Sequence, residues 1–395
     1  MTLTEMLCQL IAIPSVNPMG SEAVGGIYHE TRLSDWLETY LRQLGVEHER
    51  VEVAPGRCNI FGKYSAHPAA KTILLDAHQD TVPVTGMTIE PFCPRVEHGR
   101  ISGRGAADVK GGMAAMLHAF TRLVRERPPA SANVVISFTC DEEANATGIQ
   151  HLVHCWREPA AAGHWLGKAP DACIVAEPTE LNVVVAHKGV LRFRIATQGR
   201  ACHSSDPAQG VNAIYRMAKV LALLERQADE LRHHPAPHPL LGPPTLSVGR
   251  IEGGASVNIV PDSCWIEIDR RLVPGESVTR VMETLKAKIE HQVPEARCEL
   301  PWLSCPALAA DHNRSIAVKL LEVMTGMGLT RSTIAVPFCT HASTVSEAGV
   351  PTVVFGPGSI AQAHTADEFI EIEQLEQAAE VYFRFCCGAA EETFA

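Results

Sequence analysis

The sequence contains no run of the roughly 18 consecutive apolar residues that a membrane-spanning helix needs. Its first residues, Met1-Thr-Leu-Thr-Glu-Met-Leu, lack the basic segment and the apolar stretch that together form a secretory signal. Low-complexity tracts are also missing, and a content of 46% hydrophobic and 20% charged residues is that of a globular enzyme. We therefore expect a folded, cytoplasmic protein without a membrane partner.

Positive charge is also scarce. The formal net charge is -11 at pH 7, which argues against a nucleic-acid partner because both molecules would be anionic. The 13 cysteines include no Cys-x-x-Cys pair, so reduced thiols are favoured over a disulfide framework. The Gly-x-Ser-x-Gly motif is absent, so the sequence offers no serine nucleophile of that type.

The length of 395 residues exceeds what one hydrophobic core usually fills, so two domains are expected. Residues 1–185 alternate short apolar runs with helical stretches, which predicts an α/β domain with a mostly parallel sheet and flanking helices. Four runs are short, apolar and partly β-branched, as buried parallel strands are: 72–77, 133–139, 172–176 and 352–355.

Residues 186–299 follow a different order: strand, helix, strand, strand, helix, strand. This order predicts a separate, ferredoxin-like α+β domain. The first pattern resumes after residue 300 with a helix predicted at 315–327. The simplest division is a discontinuous α/β domain, made of residues 1–185 and 300–395, into which residues 186–299 are inserted.

Side chains that can bind metal ions follow all four apolar runs, and one more precedes a predicted helix. They are His78 and Asp80, Glu142 and Glu143, Glu177, His364, and Asp108 before the helix. Ligands bind beyond the carboxyl ends of parallel strands, so these side chains are expected at one sheet edge. Each has an ordinary alternative, such as a helix N-cap for Asp108. Together, however, so many carboxylates would repel one another unless cations neutralised them, and imidazole with carboxylate suits zinc.

These motifs resemble the co-catalytic zinc peptidase and deacylase family, which includes acetylornithine deacetylase, succinyl-diaminopimelate desuccinylase, aminoacylase and glutamate carboxypeptidase. The matching segments run in order along the chain: His78-Gln-Asp80, Asp108 with Lys110-Gly-Gly, Asp141-Glu-Glu143, Glu177-Pro, Gly356-Pro-Gly, Ala363-His364-Thr and Asp367-Glu. The resemblance implies two divalent metal ions, preferably zinc, with cobalt or manganese as alternatives.

The same resemblance assigns a role to each residue. One ion would be held by His78 and Glu177, the other by Glu143 and His364, and Asp108 would bridge them. Asp80 would orient the His78 ring. Glu142, left without a metal, would be the general base that activates a water between the ions.

The inserted domain resembles the lid and dimerisation domain of the deacetylase branch. The resemblance implies that His203 stabilises the oxyanion in the neighbouring subunit's site, so that the protein is a homodimer. It assigns substrate contacts to Asn258, Arg271 and Gly358. The ordinary alternatives are a helix entry around His203 and an exposed, ion-paired strand residue at Arg271.

The resemblance is strongest to acetylornithine deacetylase, with one departure. Many members carry an acidic residue after Gly-Thr ahead of the last strand, where this chain reads Cys339-Thr-His341-Ala-Ser. We expect an amidohydrolase that cleaves N-acyl amino acids. The alternatives are a metallo-exopeptidase, either a dipeptidase or a carboxypeptidase, a succinyl-diaminopimelate desuccinylase-like enzyme and, least favoured, a catalytically silent metal-binding protein.

Overall fold

The computed structural model describes residues 1–68, 70–158, 167–390 and 394. The chain forms two compact units. The first comprises Met1–Val185, Ala309–Ile334 and Thr340–Ala395, and the second comprises Ala186–Leu308 and Ala335–Cys339. The predicted domain limits, 1–185, 186–299 and 300–395, stay a prediction.

The strands of the described residues are short, as is usual for α/β proteins. In chain order they are β1 Glu47–Ala54, β2 Arg57–Tyr64, β3 Thr72–His78, β4 Arg95–Glu97, β5 Arg100–Ser102, β6 Asn133–Thr139, β7 Ala172–Val175, β8 Val183–His187, β9 Gly189–Gln198, β10 Thr245–Gly253, β11 Ser263–Leu272, β12 Ala296–Cys298, β13 Leu303–Cys305, β14 Thr333–Val336, β15 Thr352–Val354 and β16 Phe369–Glu371. The helices are α1 Leu3–Ala12, α2 Thr31–Leu44, α3 Lys110–Glu126, α4 Thr147–Arg157, α5 Ala213–Arg232, α6 Val278–Gln292, α7 Arg314–Gly326, α8 His341–Glu347 and α9 Ile372–Cys387.

The first unit is built on a mixed sheet in the order β1-β2-β6-β3-β7-β15-β8-β14. The four central strands, β6, β3, β7 and β15, are parallel to one another. They coincide with the four runs that were predicted to be buried parallel strands, so the α/β prediction is confirmed. The strands on either side, β2 and β8, run antiparallel to the centre.

The core of the first unit lies between this sheet and its helices. Helix α3 buries most of its residues and begins just beyond Asp108. A Cβ atom on Gly112 of α3 would lie 2.8 Å from Ala176 Cβ, so glycine is needed for the close approach of α3 to the end of β7. Among the described residues, no helix is long and apolar enough to cross a membrane.

The second unit is a small α+β structure with an antiparallel sheet in the order β10-β11-β9-β12. Helices α5 and α6 begin at side-chain caps, Asn212 and Ser277, and bury one apolar side each. The alternating burial along β11 is that of a strand with one face against a core. The predicted order of strands and helices is confirmed. A further strand that was not predicted, β13, pairs with β9.

Candidate metal centre

The carboxyl ends of the central strands bring the predicted ligands to one edge of the sheet. In the parallel pairs, His78 of β3 lies opposite Thr139 of β6, and Asp76 of β3 lies opposite Val175 of β7. The three strands therefore end together. Glu142 and Glu143 follow β6, and Glu177 follows β7, as the parallel arrangement predicted.

Asp108 lies at the centre of the cluster, and its two carboxylate oxygens face two different imidazoles. Oδ1 is 3.1 Å from His78 Nε2, and Oδ2 is 3.3 Å from His364 Nε2. His364 Nε2 also lies 3.4 Å from Glu143 Oε2. Possible ligand atoms of His78, Asp108 and Glu143 all lie within 4.8 Å of one another. A carboxylate that turns one oxygen to each histidine has the arrangement that a bridging ligand between two ions requires.

The pKa values of His364 and Glu143 in this cluster are raised, as expected of a site whose negative charge attracts cations. Hydrogen bonds to Asp108 and Glu143 raise the pKa of His364 to about 10. Burial, together with the negative charge of Asp108, raises the pKa of Glu143 to about 7. Within the described part of the chain, the buried Glu143 Oε1 has no hydrogen-bond partner. Nitrogen and carboxylate oxygen ligands in this combination fit zinc and similar divalent ions.

Glu142 and Glu177 complete the acidic lining. Burial raises the pKa of both carboxyls well above the ordinary value, and the negative charge of Asp108 acts in the same direction. A carboxyl group with a raised pKa is suited to take a proton from water and to release it later. Glu177 lies outside the ligand group found among the described residues, yet near enough to be affected by Asp108.

Asp80 contributes chiefly by holding the loop after β6. Its carboxylate accepts the backbone N–H of Glu142 at 3.0 Å and that of Glu143 at 3.1 Å. His78 Nδ1 lies 2.9 Å from the backbone oxygen of Asp80 and 3.6 Å from its carboxylate. The ring is therefore oriented mainly by the Asp80 carbonyl, while the side chain positions the two glutamates.

A buried ion-pair network, absent from the sequence predictions, supports the same loop. Arg57, 8% exposed, donates from Nε to Glu30 at 3.0 Å and from Nη1 to Asp141 at 2.6 Å. Asp141 has a φ of 64°, which is uncommon for residues other than glycine, and it directly precedes Glu142. Its carboxylate also accepts a hydrogen bond from Asn17 at 3.0 Å. The network therefore fixes the backbone that leads into Glu142.

His341, the departure from the family pattern, is paired with a buried acid. Its Nδ1 lies 2.9 Å from Asp76 Oδ2, and Asp76 also accepts hydrogen bonds from Ser137 and Thr139. The His341 ring lies edge-on to that of His78, with 6.4 Å between centroids. His341 itself supplies no carboxylate, but Asp76 places one directly behind its ring. A buried carboxylate thus contacts a ring that itself lies beside His78.

In the second unit, His203 and Asn258 lie on adjacent segments. The Ser204 N–H donates to the Asn258 carbonyl at 3.0 Å, and His203 pairs with Ile259 in a β-bridge. His203 Nδ1 accepts the backbone N–H of Ser205 at 3.1 Å. A neutral ring whose Nδ1 is an acceptor carries its proton on Nε2. His203 therefore presents an Nε2–H donor, while the oxyanion role of His203 and the substrate role of Asn258 stay predictions.

Arg271 and Gly358, the other predicted substrate contacts, already have protein partners. Arg271 donates to both carboxylate oxygens of Asp269, at 2.6 and 3.1 Å. Its neighbour Arg270 is buried on the opposite face of β11, as strand alternation predicted. The Gly358 N–H donates to Gln374 Oε1 at 2.9 Å. The substrate roles of Arg271 and Gly358 stay predictions.

The chain is similar to known proteins in sequence and in fold. The profile of Peptidase family M20/M25/M40 matches residues 74–387. An acetylornithine deacetylase of Vibrio campbellii is 31% identical over 365 residues, which cover 89% of this chain and 90% of that one. A metallo-carboxypeptidase of the M20 family from Sulfolobus solfataricus has a similar fold, with a TM-score of 0.79 at 20% identity, covering 98% of this chain and 99% of that one.

A dinuclear metal-binding peptidase of the same family from Bacillus subtilis also has this fold, with a TM-score of 0.69 at 18% identity, covering 98% of each chain. At these identities the solved structures establish the fold alone. The family profile spans most of the chain, and the curated relative covers nearly all of it. The chain therefore belongs to peptidase family M20/M25/M40 and is a metallohydrolase that acts on C–N bonds.

Proposed function

We propose that this enzyme removes the acyl group from an N-acyl amino acid, as its acetylornithine deacetylase relatives are named to do. Asp108 carries the proposal, since it turns one carboxylate oxygen to His78 and the other to His364. His78 and Glu177 would hold one divalent ion, and Glu143 and His364 the second, with Asp108 between them. Zinc is the preferred ion for this ligand set, with cobalt or manganese as alternatives. The 31% identity to an acetylornithine deacetylase supports the deacylase branch.

The residues of the site divide the reaction among them. Two divalent ions held there would polarise the scissile carbonyl and acidify a water molecule. Glu142 takes a proton from that water and later passes it to the leaving amine. Asp80 keeps Glu142 and Glu143 in place through their backbone N–H groups. His203 donates its Nε2–H to the carbonyl oxygen as that oxygen becomes negative.

A homodimer formed by the second unit is the second part of the proposal. This unit exposes apolar side chains, among them Val257 at 99% and Tyr215 at 73%. Both side chains line one surface cavity, and clustered apolar side chains at a surface are typical of a protein interface. A twofold interface would supply His203 from each subunit to the site of the other. The cytoplasmic location expected from the sequence remains part of this proposal.

Glu142→Gln tests the assigned base. The amide keeps the shape of the side chain but cannot accept a proton, so turnover should fall by about 100- to 10,000-fold. Metal content, measured by mass spectrometry, should stay at two ions per chain. Glu97→Gln, on the exposed strand β4, is the control and should change neither quantity. Unchanged turnover of Glu142→Gln would show that another residue is the base, and lost metal would make Glu142 a ligand.

A further inference from the structure

We infer that Glu368 is a positioning residue that sets the affinity for the second ion. It links the two halves of the metal centre, which are the loop that carries Asp108 and the segment around His364. The inference rests on the proposed function, because it takes Asp108 and His364 as metal ligands. Glu368 itself is neither a predicted metal ligand nor the predicted base. It is 0% exposed and follows His364 by four residues in the chain.

The first half is the loop that carries Asp108. Glu368 Oε1 accepts the backbone N–H of Ala107 at 2.8 Å and that of Asp108 at 3.0 Å. Oε2 accepts the backbone N–H of Gly105 at 2.9 Å and Nη1 of Arg104 at 2.7 Å. Four donors from one short loop therefore converge on a single buried carboxylate. Hydrogen bonds to an ionised acceptor are stronger than neutral ones, so this carboxylate largely determines where the Asp108 backbone lies.

The second half is the segment around His364. Arg104, only 3% exposed, uses Nη2 to donate to the carbonyl of Thr365, the next residue after His364, at 3.3 Å. The backbone carbonyl of Glu368 accepts the N–H of Gly103 at 3.0 Å. The side chain of His364 is 54% exposed, so apart from its contacts with Asp108 and Glu143 the position of its ring depends on the backbone beneath it. The Arg104–Glu368 pair thus links that backbone to the Asp108 loop.

This arrangement affects the two metal positions to different extents. Asp108 is shared by both ions in the proposed site, whereas His364 belongs to the second ion only. A loosened Glu368 would therefore weaken both positions, and the one that contains Glu143 and His364 most. Groups that orient metal ligands typically change metal affinity by about 10- to 100-fold when they are replaced.

The test is a titration of the metal-free enzyme with Co²⁺, followed by calorimetry and by the visible absorption of the bound ion. Glu368→Gln should bind the second ion about 10- to 100-fold more weakly and change its absorption bands, while excess metal restores turnover. Glu276→Gln is the matched control, because Glu276 also accepts a buried arginine, Arg270, and a backbone N–H, that of Val273, but lies in the second unit. It should bind both ions as the wild type does.

A second variant keeps the test decisive if Glu368→Gln does not fold. Arg104→Lys keeps a cation beside Glu368 but removes the Nη2 hydrogen bonds to the carbonyls of Thr365 and Pro83. The second ion should therefore be bound more weakly and the first little affected. A folded Glu368→Gln with wild-type affinity for both ions and an unchanged spectrum would overturn the inference alone. A wild-type enzyme that binds fewer than two ions would instead overturn the proposed function on which the inference rests.

Discussion

His187 shows how burial sets the charge of a single side chain. The residue is 0% exposed, and its ring Nδ1 lies 2.9 Å from the Lys188 carbonyl. Burial, with the positive charge of Arg271, lowers its pKa from 6.5 to about 4. The unfolded chain therefore binds a proton below pH 6.5 that the folded chain does not bind until the pH nears 4. The contribution of the neutral His187 ring to the free energy of unfolding is fully present above pH 6.5. It falls as the pH decreases, and about 2 kcal/mol of it is lost at pH 5.

Urea unfolding at pH 7 and pH 5 measures this effect. His187→Asn should lose about 2 kcal/mol less stability between the two pH values than the wild type, because asparagine cannot take up the proton. Its amide can still donate to the Lys188 carbonyl. His98→Asn, at an exposed position, should behave as the wild type. Equal losses in the wild type and His187→Asn would show that the imidazole is not held neutral.

At the scale of loops and strands, the replacement of Arg57 is expected to lower stability strongly. Replacing it by methionine leaves Glu30 and Asp141 as buried acids without their cation, which costs about 3–5 kcal/mol. Arg50→Met, on the neighbouring strand β1, removes surface ion pairs to Asp35 and Glu38 and should cost about 1 kcal/mol or less.

Denaturant unfolding of both variants, with kcat of the folded Arg57→Met, measures the comparison. We expect kcat to fall in Arg57→Met because the backbone leading into Glu142 loses its support. Similar stabilities for the two variants would contradict a structural role for the network. An unchanged kcat would show that the network does not support catalysis.

Loops and strands also differ in how well the sequence predicts them. The central strands were predictable because their apolar, β-branched runs are a local signal, and their parallel pairing then placed His78 and Glu143 at one edge. Strand β13, Leu303–Cys305, contains no β-branched residue and has a polar residue at its centre, so it lacks that signal. The Arg57–Asp141 pair joins residues 84 positions apart, and the Arg104–Glu368 pair joins residues 264 apart. No periodicity marks such contacts, so only the fold reveals them.

At the scale of the whole molecule, the proposed dimer makes activity depend on association. Val257→Lys places a charge on the most exposed apolar side chain of the second unit and should convert the dimer to a monomer. The monomer should keep its metal but lose turnover, because His203 would no longer reach a neighbouring site. Light scattering with a turnover assay measures both. Glu97→Lys is a control that should remain a dimer, and a fully active Val257→Lys monomer would contradict the role of His203 in the partner's site.

The central claim is that the enzyme is a metal-dependent deacylase of N-acyl amino acids. It is tested most directly by amine release from N-acetyl amino acids, N-succinyl amino acids and dipeptides, using chelator-stripped enzyme with and without added Zn²⁺. We predict no release without metal, restored release with metal, and a preference for one N-acyl amino acid. Metal-dependent cleavage of dipeptides alone would contradict the deacylase claim in favour of an exopeptidase, and no release from any substrate with metal bound would contradict catalysis itself.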